Sequence, residues 1–128
     1  MRALLAALLL APQVLAAQTA TTITFDPPTD RVDGTPLDPA TEIAEYALYC
    51  HAQGTEGPPG EDVLTIPGLT DTGVYETTYD SFLPEKGRYD CAMTAIDTDG
   101  RESSQSDVVE VSWLDAPGTP TNVIILVE

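Results

Sequence analysis

The sequence predicts an all-β fold, a sandwich of about seven short antiparallel strands. Three observations carry that expectation. Apolar and polar residues alternate with a period of two in run after run, as in strands with one buried face. Prolines and glycines recur along the whole chain, as in Pro27-Pro28, Pro58-Pro59-Gly60 and Pro117-Gly118, and would break any long helix. The 128 residues, 42% of them hydrophobic, suffice for one packed core and leave little room for a second domain.

Residues 1–17 (MRALLAALLLAPQVLAA) carry Arg2, then an apolar run, then a small-residue cleavage context at Val14-Leu15-Ala16-Ala17. Those are the parts of a secretory signal peptide. Pro12 and Gln13 interrupt the run well below the ~20 residues that a membrane span needs. The expected product is secreted, extracellular or periplasmic, with no membrane association after cleavage. The folded domain is then residues 18–115, followed by a linker and strand over 116–128.

Strand signals follow in order. Residues 21–25 place Ile23 and Phe25 on one face, and residues 46–51 place Tyr46, Leu48 and Cys50 together. Residues 89–95 align Tyr89, Cys91, Met93 and Ala95, and residues 107–113 align Val109, Val111 and Trp113. Weaker runs cover 63–66 and 77–83. Residues 38–45 (DPATEIAE) allow one helical turn at most. Asp33-Gly34 and Asp99-Gly100 are turn signals.

The net charge is −16, from 21 acidic and 5 basic residues. Polyanion binding needs clustered Lys and Arg, so nucleic acid is excluded as a partner and anionic membrane surfaces are disfavoured. Protein partners or self-association remain.

As a set, three stretches resemble the fibronectin type III family in its bacterial secreted form. They are residues 23–29 (ITFDPPT) with 33–37 (DGTPL), residues 45–49 (EYALY), and residues 83–103. In the last, Leu83, Tyr89, Ala95, Asp97, Asp99-Gly100 and Glu102-Ser103 fall as in the family. The resemblance spans residues 21–113 and implies a fibronectin type III, immunoglobulin-like β-sandwich. It makes Tyr89, six residues after Leu83, the corner tyrosine that bonds back to the chain. Three departures stand out. Phe25 replaces the family's usual tryptophan, Pro84 comes one place early, and the family's first strand is missing.

The same resemblance makes the strands of Cys50 and Cys91 antiparallel neighbours. A register that sets Cys50 opposite Cys91 also sets Leu48 opposite Met93 and Tyr46 opposite Ala95. A disulfide is one reading, worth about 4 kcal/mol for a loop of roughly 40 residues. Two buried free thiols are the other.

His51 is the only histidine, and no nucleophile motif accompanies it. A solvated surface side chain is its expectation, and the chain is expected not to be an enzyme. The two loops that the fold brings to one end carry Asp26, Asp30, Asp33 and Asp38, and then Asp97, Asp99 and Glu102. Asp97, Asp99, Glu102, Asp30 and Asp33 form a candidate Ca²⁺ site, since that ion takes several hard oxygens at flexible spacing. The competing expectation is turn-capping and solvated charge, with no cofactor.

Residues 114–120 (LDAPGTP) form a linker, and Val123, Ile124, Ile125, Leu126 and Val127 are apolar on both faces. Such a run aggregates unless covered. It is expected to fold back on its own sandwich or to be donated to a neighbour. The expected function is a non-catalytic structural or interaction module, an extracellular assembly or filament subunit. The alternative is a monomeric accessory domain that binds a cation or a glycan.

Overall fold

A computed structural model describes residues 20–127. The expected signal peptide, residues 1–17, lies outside the described residues.

The elements are β1 (Ala20–Thr24), helix α1 (Pro39–Glu42), β2 (Ile43–Ala52), β3 (Asp62–Pro67), β4 (Val74–Thr78), a 3₁₀ turn (Tyr79–Ser81), β5 (Gly87–Asp97) and β6 (Val109–Trp113). They form two antiparallel sheets, β1-β4 and β3-β2-β5-β6, whose facing sides enclose the core. The class is therefore an all-β sandwich.

Local chemistry sets the ends of these elements. Asp38 caps α1 by accepting from the Ala40 amide at 3.1 Å, and Glu42 reaches back to the Asp38 amide at 2.7 Å. Pro39 holds the first helical position, where no amide hydrogen is needed. Gly34 and Gly100 take positive φ at the two predicted Asp-Gly turns.

The expected strand over 77–83 is corrected. β4 stops at Thr78, and residues 79–81 turn. There the Ser81 hydroxyl donates to the Thr78 carbonyl at 2.7 Å and the Thr78 hydroxyl donates to Asp80. Short polar side chains have displaced the strand ladder.

The predicted register of the large sheet is present: Cys50 faces Cys91, Leu48 faces Met93 and Tyr46 faces Ala95. Cys50 and Cys91 form a disulfide. Around it pack Leu48, Phe82, Leu83, Tyr89 and Trp113, all buried. Tyr79 stacks on Trp113 with ring centroids 5.8 Å apart. The Tyr89 hydroxyl donates to the Glu85 carbonyl at 2.6 Å, tying the turn after Leu83 to β5.

A second cluster holds Leu37, Ile43, Tyr46 and Ile66, with Phe25 against the Tyr46 ring at 4.5 Å. The Tyr46 hydroxyl is buried with no hydrogen-bond partner, and burial pushes its pKa up. Tyr46→Phe keeps the ring and removes the orphaned group. Thermal unfolding of that variant is expected to show equal or higher stability, by up to about 1–3 kcal/mol. A lower melting temperature would mean that the hydroxyl has a partner in solution.

Six strands stand where seven were expected, among the described residues. Residues 114–127 form no strand, and every one of them is exposed. The tail therefore covers nothing on its own sandwich.

Candidate functional site

Three places hold the side chains that the sequence singled out. The first is the end of the sandwich where the loop after β1 meets the loop after β5. Asp30, Asp33, Asp97 and Glu102 line one groove there, of about 640 Å³, but so do Arg31 and Arg101. The arginines change its chemistry.

Asp97 is 5% exposed and fully engaged. Its carboxylate accepts from the amides of Arg101 (2.8 Å) and Asp99 (3.0 Å), and from Arg31 Nη1 (3.0 Å) and Arg101 Nε (2.9 Å). Arg31 also reaches Glu42 at 3.2 Å, and Arg101 reaches Asp99 at 2.8 Å. The result is a chain of alternating charge, Glu42–Arg31–Asp97–Arg101–Asp99, joining α1, both loops and the end of β5.

The other acids turn elsewhere. Glu102 accepts from Thr94 Oγ1 at 2.6 Å and from the Tyr49 hydroxyl at 2.5 Å, across the outer face of the large sheet. Asp33 accepts from the Thr35 amide at 3.0 Å and its hydroxyl at 2.7 Å. Asp30 is exposed beside an isolated bridge to Pro36. The five carboxylates proposed for Ca²⁺ thus line or rim one groove without converging. Among the described residues, no three His, Cys, Asp or Glu side chains are grouped to hold a metal. The sequence reading counted acids and passed over Arg31, the cation that organises them.

Backbone amides and the two guanidinium groups hold the Asp97 carboxyl far below the usual carboxylate range. Hydrogen bonds from Thr94 and Tyr49 lower Glu102, and Glu102 in turn raises the Tyr49 phenol. For Asp97 the folded pKa lies below the unfolded value of 3.8, so its stabilisation is complete above that value and is lost as pH falls through the folded one. Melting temperature plotted against pH should therefore fall on the acid side of about pH 4. Asp97→Asn should lower the melting temperature at pH 7 by several degrees and flatten that acid limb. An unchanged profile would show that the ion chain adds nothing to stability.

The second place surrounds His51. Its Nε2 lies 3.9 Å from Asp90 Oδ2, on the outer face of the β2-β5 pair, and the side chain is mostly buried rather than solvated as expected. The adjoining groove is lined by Val63, Phe82, Leu83, Pro84, Lys86 and Arg88 among others, with no serine or threonine. Cys50 beside it is oxidised to the disulfide.

The third place is the outer edge of β1 together with the tail. Among the described residues β1 pairs only with β4. A groove of about 350 Å³ opens between that free edge and β6, lined by Thr21, Thr22, Ile23 and Thr24 on one side and Val109, Val111 and Ser112 on the other. Leu48, Phe82 and Cys91 form its floor. Val123, Ile124, Ile125, Leu126 and Val127 are 71–91% exposed.

Comparison with known proteins yields no match: no family model, no curated protein and no solved structure corresponds to this chain. No helix of the described residues is long and apolar enough to cross a membrane.

Proposed function

We propose that this chain is a secreted, non-catalytic, fibronectin type III-like subunit of an extracellular assembly that joins copies of itself through residues 123–127. One observation carries the reading. A strand-prone apolar run stands in solvent on a molecule whose small sheet has an unpaired edge. Exposed runs of this kind persist in soluble proteins only when another surface covers them.

The disulfide and the signal-like residues 1–17 support an oxidising compartment outside the cytoplasm. The Tyr89–Glu85 bond and the strand pairing support the family resemblance. The ion chain at the loop end supports a structural use for its acids, since the Asp97 oxygens are already taken.

The test is the solution mass of the chain from Gln18 on, by light scattering after size exclusion, beside a version that stops at Asp115. Among the described residues none after Trp113 is buried, so the shortened chain keeps the described core. The chain from Gln18 is expected to oligomerise, more strongly as salt screens the net charge of −17 that remains once Arg2 is removed, and the shortened chain to be monomeric. A full chain that stays monomeric at every salt concentration would overturn the reading. Attention would then pass to the loop-end groove and its cation or glycan ligands.

A further inference from the structure

We infer that residues 123–127 of one copy dock as an added strand on the outer edge of β1 in a second copy, in the groove between β1 and β6. This rests on the assembly reading above and adds to it the receiving site.

Backbone parity identifies the receptor. The Phe25 amide donates to the Gly73 carbonyl at 2.9 Å, which makes that facing pair hydrogen-bonded. Hydrogen-bonded and non-hydrogen-bonded pairs alternate along an antiparallel ladder. Ile23 opposite Tyr75 and Thr21 opposite Thr77 therefore bond to β4, while Ala20, Thr22 and Thr24 turn their amides and carbonyls outward. A strand arriving there finds a row of unused donors and acceptors in register. Below it, Leu48, Phe82 and Cys91 offer an apolar floor, with Ile23 and Val111 in the walls.

The tail fits that receptor in length and chemistry. Five residues match the five of β1, and none of them carries a charge to desolvate. Alternation sends Val123, Ile125 and Val127 to one face and Ile124 and Leu126 to the other.

Direction argues against the chain's own tail. Tyr79 follows directly on Thr78, the partner of Ala20, and stacks on Trp113. The end of β6 therefore lies beside the start of β1. A strand antiparallel to β1 must enter at its far end, near Thr24. The chain's own tail would have to run the length of β1 and reverse, through a linker holding Pro117 and Pro120, with Asp115 bound to Lys86 at 2.6 Å. A second copy meets no such constraint. Because donor and acceptor are different surfaces, the contact is head-to-tail and can repeat along a chain.

Complementation tests the pairing in the full chain. Ile125→Asp spoils the donor and leaves the acceptor. Thr22→Pro removes an outward amide hydrogen from β1 and leaves the ladder to β4. Each variant alone should be monomeric, and an equimolar mixture should form a dimer with one joint. Val109→Lys, at an exposed position on the groove wall, serves as the acceptor variant if Thr22→Pro misfolds. Oligomers that survive both acceptor changes but vanish with Ile125→Asp would overturn this site and leave the assembly reading standing. Two monomeric variants that do not join on mixing would also overturn it. Oligomers that persist in all three variants would overturn both.

Discussion

Replacing Cys50 and Cys91 together by alanine is expected to cost about 4 kcal/mol, because the bridge closes a long loop in the unfolded chain. That is a large share of the roughly 5–15 kcal/mol that holds a domain together. For a domain of this size it corresponds to a melting temperature lower by roughly 15–30 °C. The bridge also sits at the centre of the core cluster that includes Leu48, Tyr89 and Trp113, so its loss loosens the face that β1 packs against. Thermal unfolding followed by near-UV circular dichroism, with and without dithiothreitol, measures the effect on the unaltered protein. A drop under about 5 °C would show that the unfolded chain is already constrained in other ways.

The second large effect is expected at Gly73. A side-chain carbon there would stand 1.6 Å from the Phe25 carbonyl oxygen and 2.7 Å from its carbon. Those are backbone atoms of the chain leaving β1, and they cannot move without unpairing Phe25 from Gly73. Gly73→Ala is therefore expected to destabilise by about 3 kcal/mol or more, at or beyond the upper end for overpacking. It should also weaken assembly, since β1 is the proposed acceptor. Gly60→Ala is the matched control, because its added carbon meets nothing within 4 Å and should change stability by less than about 0.5 kcal/mol. Equal melting temperatures for the two variants would mean that the small sheet adds little to the fold.

What was legible in the sequence follows from what alternation encodes. A period of two fixes which residues share a face, and one pairing then fixes all the others. That is why Cys50 with Cys91 carried Leu48 with Met93 and Tyr46 with Ala95. The corner at Tyr89 was an expectation of the family resemblance rather than of alternation, and its hydroxyl does bond to the Glu85 carbonyl.

Contacts between loops have no such period. Arg31 and Asp97 are 66 residues apart, and nothing near either one marks the other. With acids in such excess, the loop end offered a candidate cation site beside a turn-capping alternative. In the fold it is an ion chain built on two of the few basic residues. The strand expected over 77–83 failed for a different reason, since Thr78, Asp80 and Ser81 bond to their own turn. The tail's strand propensity was plain, yet residues 114–127 form no strand and stay exposed.

The position of the disulfide has a mechanical consequence. If copies are linked by donated strands, any pull along the assembly enters one module at β1 and leaves through the linker after β6. Cys50 and Cys91, 41 residues apart, tie the two central strands of the large sheet together. Those residues cannot be drawn out as the module stretches, which withholds roughly 140 Å of extension at about 3.4 Å per residue. Each module would yield only through the residues outside the bridged loop, by a fixed amount, and then stiffen.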